Sequence, residues 1–380
     1  MTGRAISAKF IALALIIASF ATLLYVVKIH TGMVDFEVYR RAAIRAPAAI
    51  NLYQPDDGHY QYKYWPLFAF GVAPLAWADH DTARVGWYAL SFFLLCVYIW
   101  AAMRLVPDAR LSRRALVWFA ILLMGKFYAR ELFLGQTNIL LGVILLGALA
   151  AAGRGAMKTA GACLALAVFV KPYALILVPW LLLTAGIEGL AAFSVVLAAG
   201  VLAPALSYGW SGNIDQMLGW YRTVTDTSAP QLMKEENISF ATMWAKWVGP
   251  GQGATVMATA TSLLAVAVTA LIFAWRRRVA SPSYLEFGLL LMLVPVLSPQ
   301  GWDYLLLLST PAILCIVDRW RDTSVPWRVV SVLGIFGMSF TLFDLLGRYL
   351  YSRAMQINVV TIAVILVVAC LMNLRRKALA

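Results

Sequence analysis

The sequence predicts an all-α, polytopic transmembrane helix bundle, and three observations lead to it. Residues are 62% hydrophobic and only 13% charged, against about 25% charged in an average soluble domain. Apolar runs recur along the whole chain, several near the about 20 residues that span a hydrocarbon layer about 30 Å thick. The basic residues, which give a net charge of +13, sit in short clusters between those runs, as the positive-inside rule requires. No polar stretch is long enough to fold as a separate soluble unit, so residues 1–380 read as one integral-membrane domain. The same clustering points to membrane lipids as the partner of the positive charge and excludes nucleic acid. Cys96, Cys163, Cys315 and Cys370 all fall inside apolar runs, which excludes a disulfide framework and a thiolate metal site.

The elements follow in order. Run 10–27, preceded by Arg4 and Lys9, looks like a signal peptide but lacks a small-residue cleavage site. It reads as a retained first span that carries the chain outward. The first external loop, 28–65, then gathers Asp35, Glu37, Arg40, Arg41, Arg45, Asp56, Asp57, His59 and Lys63 among aromatic residues. Residues 35–50 have the composition of an amphipathic helix lying in the membrane interface. Run 66–77 contains Pro74 and is too short to cross, so it reads as a partial insertion; a full crossing would place Arg104, Arg110, Arg113 and Arg114 outside. Runs 85–103, 115–127 and 137–152 alternate across the membrane, with Arg154 and Lys158 inside. Run 161–183 is interrupted by Lys171-Pro172, which predicts two short helices meeting near the outer face. Run 190–206 exits to a second external loop, 208–250. Runs 254–275, 284–297, 305–317, 329–346 and 358–372 complete the bundle, with Arg276–Arg278, Arg319, Arg321, Arg328 and Arg375–Lys377 inside. The expected total is about twelve crossings plus one partial insertion.

This topology puts four polar features on the external side: Asp35 and Glu37 with the basic helix, Gly135-Gln136-Thr137-Asn138, Lys171-Pro172, and the 298–304 turn. Asp35 fits either an acid–base group or a helix N-cap. Glu37 is spaced to pair with Arg41 four residues on. A lysine at membrane depth costs several kcal/mol unless it faces a cavity or a partner, so Lys171 either lines a site or snorkels to the headgroups. Gln136 and Asn138 fit a site or interhelical hydrogen bonds, and Asp303 fits a site or a cap on the following helix. Asp79-His80-Asp81 has a metal-binding spacing, although a turn capping the next helix explains it better. The sequence has no phosphate-cradling loop, dinucleotide fingerprint, zinc spacing or nucleophile elbow, and no cofactor is expected. The external arginines and the lysine suit an anionic phosphate.

At these residues the chain resembles glycosyltransferase family 87 of the type C superfamily. The resemblance is carried by Asp35 and Tyr39, by Leu52-Tyr53, and by Tyr64-Trp65-Pro66-Leu67. It continues through Gly135-Gln136-Thr137-Asn138, Ala160-Gly161 with Lys171-Pro172, Asn237-Ile238-Ser239, and Leu297-Ser298-Pro299 with Trp302. It implies a membrane enzyme that moves a hexose, mannose first, from a polyprenyl-phosphate sugar to an external lipid or glycan acceptor. Asp35 would be the base of one inverting displacement. Glu37, Tyr39, Arg40, Arg41, Tyr64, Gln136, Asn138, Lys171, Asn237, Ser298, Trp302 and Asp303 would contact substrates, with Lys171 and one or more of Arg40, Arg41 and Arg45 on the leaving phosphate. The implied location is the outer face of a bacterial inner membrane. Two departures stand out: Asp303-Tyr304 where the family often has histidine, and Ile238 where glutamine is common. A transporter of lipid-linked sugars would show internal repeats and more midplane charges. A non-catalytic assembly subunit is the remaining alternative.

Overall fold

A computed structural model describes residues 8–276 and 282–377, so Arg4, Arg277 and Arg278 and the side chains of Lys9 and Lys377 lie outside the described residues. Among those residues the fold is all-helical, and the one β-type pairing is an isolated bridge between Asn237 and Trp302. In chain order the helices are α1 (Ala8–Val27), α2 (Val34–Arg45), α3 (Pro66–Gly71), α4 (His80–Leu105), α5 (Arg113–Leu134), α6 (Asn138–Gly153), α7 (Met157–Val170) and α8 (Val178–Leu202). They continue as α9 (Ala205–Ser228), α10 (Phe240–Val248), α11 (Gln252–Ala274), α12 (Pro282–Leu297), α13 (Thr310–Asp318), α14 (Val325–Ser339), α15 (Phe343–Gln356) and α16 (Val359–Lys377).

Among the described residues, four helical segments are long and apolar enough to cross a membrane: His80–Leu105, Pro172–Leu202, Gln252–Ala274 and Val359–Arg376. Two bent pairs raise the count to six, α1 with α2 at 82° and α14 with α15 at 98°. The shorter apolar helices Asn138–Gly153, Met157–Val170 and Ser283–Leu297 complete the bundle. The expected count of about twelve separates 161–183 from 190–206, and the chain does break between them: Gly186 (φ +60°, ψ −159°) is non-helical, so α8 is two helices joined at a kink. Run 305–317 begins as the 3₁₀ helix Asp303–Ser309, buried along its whole length in the middle of the bundle. The second loop is largely helical, as α9 and α10 occupy most of 208–250. Residues 66–77 form only α3 and the 3₁₀ turn Ala73–Ala76, too short to span.

Glycines set the closest helix contacts. A Cβ on Gly161 would stand 2.0 Å from the carbonyl oxygen of Gly189, so α7 and α8 touch backbone to backbone. Gly334 of α14 is similarly tight against Val367 and the Ala363 carbonyl of α16. Small residues at such crossings are how membrane helices gain packing energy without a hydrophobic driving force between them. At one end of the bundle Glu286 is fully buried and held by Arg276 (2.9 Å) and Arg375 (2.7 Å), so its charge is matched. Gly161→Val is expected to force α7 off α8 and cost about 1–3 kcal/mol, read as a lower thermal midpoint in detergent. Gly153→Ala, where a Cβ meets nothing within 4 Å, is the silent control.

Candidate functional site

The site begins with the end of α5. Gly135 adopts the left-handed conformation (φ +71°) that glycine tolerates best, and the Gln136 N–H closes back on the Glu131 carbonyl (3.1 Å). The turn is packed against the start of α2. Met33, also left-handed (φ 59°), precedes α2 and donates its N–H to the Phe133 carbonyl (2.6 Å). A Cβ on Gly135 would lie 3.4 Å from the Met33 backbone and 3.5 Å from Phe36. Trp87 of α4 fastens the same turn by donating to the Gly135 carbonyl (2.8 Å). Two chain segments about a hundred residues apart are thereby locked together, and Asp35 faces Gln136.

Gln136 is the hub. Its amide Nε2 donates to Asp35 Oδ2 (2.8 Å), while its Oε1 accepts from Lys171 Nζ (3.0 Å) and from the Tyr64 hydroxyl (3.3 Å). The Tyr39 and Tyr64 hydroxyls are 2.7 Å apart, and the Tyr304 hydroxyl lies 3.5 Å from Gln136 Nε2. Lys171 is placed by the break that Pro172 imposes: it is extended (φ −151°, ψ 128°) between α7 and the 3₁₀ helix Pro172–Leu177. It does not snorkel; the residue is buried, with its ammonium over the rings of Tyr64 (5.5 Å) and Tyr173 (5.7 Å). Nor does Asp35 cap α2, whose N-cap is Met33. Burial pushes the Asp35 carboxyl above the ordinary carboxylate range, against the pull of Lys171 and of the Gln136 hydrogen bond. Lys63 is drawn into the same field: burial lowers its pKa and Asp35 opposes the shift.

The remaining expected residues divide. Asn138 is fully buried beside the hub and bonds to Glu131, donating from its side chain (2.5 Å) and its backbone N–H (3.2 Å). Glu37 pairs with His80 Nε2 (2.6 Å) rather than Arg41, because α2 packs its first turn against the start of α4. Arg40 donates to the Leu75 (2.5 Å) and Ala78 (3.2 Å) carbonyls. Arg41 (2.9 Å) and Arg45 both bind Asp57, so none of the three arginines expected on a phosphate reaches the hub. Asp57 is thus the anchor of the basic helix. Asp79 caps α4 by accepting from the N–H groups of Asp81 (3.1 Å) and Thr82 (3.0 Å), which accounts for the D-x-D spacing.

Asn237 and Trp302 meet in the isolated bridge, with the Ile238 N–H on the Gly301 carbonyl (2.7 Å) and Asn237 Nδ2 on the Pro299 carbonyl (3.0 Å). Trp302 stacks nearly parallel on Tyr304 (6.2 Å, 7°), and so reaches the hub through one ring. Asp303 does not cap the helix; it is buried and paired with Lys126 of α5 (3.1 Å), whose ammonium also donates to the Thr341 carbonyl. Ser298 lines a separate apolar groove of about 340 Å³ along α10 and α11. The sequence reading passed over Glu131 and left Lys63 without a role. Glu131 lies just beyond the apolar run 115–127, and a carboxylate so close to a span was the available signal.

A sequence model of glycosyltransferase family 87 matches residues 62–299. The chain belongs to that family. The match starts after Asp35 and stops before Trp302, and it includes Tyr64, Gln136, Asn138 and Lys171. Comparison with curated proteins and with solved structures gave no match. Family membership makes the protein a glycosyltransferase that uses a sugar donor and an acceptor. The several helices long and apolar enough to cross suit a membrane setting.

Around this site, Arg45 and then Arg41 hold the Asp57 carboxyl below the usual carboxylate range. A carboxyl depressed in the folded state contributes stability that is complete above its unfolded pKa, about 3.9, and is lost as the pH falls through the folded value. Limited proteolysis of loop 46–65 is therefore expected to leave the wild type intact at pH 7 and to open it only in acid. Asp57→Asn is expected to be cleaved readily at both.

Proposed function

We propose that the protein transfers a hexose, mannose first, from a polyprenyl-phosphate sugar to a lipid or glycan acceptor, at the outer face of a bacterial inner membrane. One observation carries the reading. Asp35 is part-buried and held by a neutral amide on one oxygen, whereas Glu37 pairs with His80, Asp57 with Arg41 and Arg45, Asp303 with Lys126 and Glu236 with Arg130 (3.5 Å), and Glu131 is completely buried with both oxygens taken by Asn138. Asp35 is thus the carboxylate best placed to take a proton, and a raised pKa makes it a stronger base than a free carboxylate.

In the reaction, Asp35 accepts the proton of the acceptor hydroxyl as that oxygen attacks the anomeric carbon. The bond from that carbon to the phosphate oxygen breaks with its electron pair, and the lipid phosphate leaves. Inversion follows from one displacement. Lys171, fixed at the opposite end of the Gln136 amide, meets the negative charge growing on the phosphate. Lys63 takes the second cationic role, since Arg40, Arg41 and Arg45 are committed to carbonyls and to Asp57. Tyr39, Tyr64, Trp302 and Tyr304 supply the aromatic walls on which a sugar ring can stack.

The test is transfer of labelled sugar from polyprenyl-phosphate mannose, and from the glucose analogue, to extracted lipid acceptors by the purified protein. Asp35→Asn should lower kcat by about 10²–10⁴-fold with the fold unchanged; transfer at the wild-type rate would remove Asp35 from the role of base. Because the Asp35 pKa is raised, activity should decline on acidification at a higher pH than the about 3.9 of a free aspartate, and Glu37→Gln should leave that limb of the profile in place. Sugar movement across a vesicle with no new glycosidic bond would identify a transporter instead.

A further inference from the structure

Glu131 is completely buried in α5, one turn before the hub. Its two carboxylate oxygens both receive Asn138: one the side-chain Nδ2 (2.5 Å), the other the backbone N–H (3.2 Å). Asn138 is the first residue of α6, and the N-cap Thr137 supplies no side-chain hydrogen bond there. A free N–H at the positive end of a helix is a natural seat for a carboxylate. Here the carboxylate comes from the preceding helix. The backbone carbonyl of the same Glu131 receives the Gln136 N–H (3.1 Å). One residue therefore closes the Gly135–Thr137 link from both ends, and Gln136 is the middle of that link.

We propose that Glu131 is a positioning residue of the transfer site, clamping the α5–α6 turn so that the Gln136 amide spans Asp35 and Lys171. The proposal rests on the transferase reading for its consequence but on geometry for its cause. A simple cap would need only one carboxylate–amide bond. The second bond, to the Asn138 side chain, fixes the direction from which the carboxylate approaches and removes the remaining freedom of the turn. Loss of the clamp would let Gln136 swing, so that neither the base nor the phosphate-binding lysine keeps its orientation. Errors of about 1 Å in such groups cost about 10²-fold in rate.

The experiment uses the full-length protein in lipid nanodiscs, with Glu131→Gln, Gln136→Ala and the double variant. Glutamine keeps the shape and one acceptor but faces a donor to the second Asn138 group. Glu131→Gln should speed hydrogen exchange at residues 135–138 while the rest of α5 stays protected. It should lower kcat by about 10- to 100-fold with a smaller change in KM. If it acts through Gln136, the double variant should be no slower than Gln136→Ala alone. Losses that multiply, or unchanged exchange at 135–138, would overturn the proposal. Should Glu131→Gln fail to fold, Glu131→Asp keeps the charge with a shorter reach, and the same exchange measurement decides. A wild type that transfers from no polyprenyl-phosphate sugar would sink the transferase reading, while exchange at the turn would still judge the clamp.

Discussion

A buried lysine and a part-buried aspartate are kept apart by one neutral amide, and the architecture of the site depends on that spacing. Had Lys171 and Asp35 met directly, each would have satisfied the other and neither would remain available to a substrate; held apart with no polar group between them, they would have faced the cost of desolvation unaided. The Gln136 side chain resolves this because it is a donor at one end and an acceptor at the other. Its Nε2 serves the carboxylate and its Oε1 serves the ammonium and Tyr64. The orientation of the amide is fixed by the charges on either side, since a flipped amide would present NH₂ to Lys171 and oxygen to Asp35. Polarisation along such a chain strengthens both bonds in a medium of low dielectric.

Each component reaches the hub through a local break in helical regularity. Gly135 leaves α5 in the left-handed region, Met33 enters α2 from it, and Lys171 is extended between two helices. Left-handed backbone at a non-glycine residue such as Met33 costs of order 1–3 kcal/mol and persists only where the surroundings enforce it. Here the Phe133 carbonyl and the bare face of Gly135 do so. The rigid parts of the bundle, with α7 lying backbone to backbone on α8, hold those breaks in register.

What could be read in the chain follows from what is local. Composition and apolar runs give the helical class; Pro172 announces the break that places Lys171; a polar quartet at the end of an apolar run marks Gln136. Partner choice is not local. Arg41 and Arg45 look free on a helix of the first external loop until the chain turns through Gln54-Pro55 and returns Asp57 to them. The number of crossings is equally hard to read, because buried charges such as Lys126 and Asp303 neutralise each other inside the bundle. Glu131 is hidden for the same reason: its partner Asn138, part of the polar quartet, meets it only once α5 ends at Gly135 and the chain turns into α6.

Asp303 has a defined structural role in this setting. The 298–304 turn is pinned twice, by its bridge to Asn237 and by the Asp303 N–H on the Glu236 carbonyl (3.0 Å). A Cβ on Gly301 would stand 1.8 Å from the Pro295 carbonyl, so the turn has no freedom to move outward. With the backbone so constrained, the side chain at 303 must project into α5, where Lys126 receives it. A histidine there would meet Lys126 with at best a neutral ring, whereas aspartate forms an ion pair and frees the next residue, Tyr304, to lie over the hub. Asp303 thus supplies a charge pair and Tyr304 an aromatic wall. The pair closes the site from the 298–304 turn and leaves the Asp35–Gln136–Lys171 arrangement to the substrate.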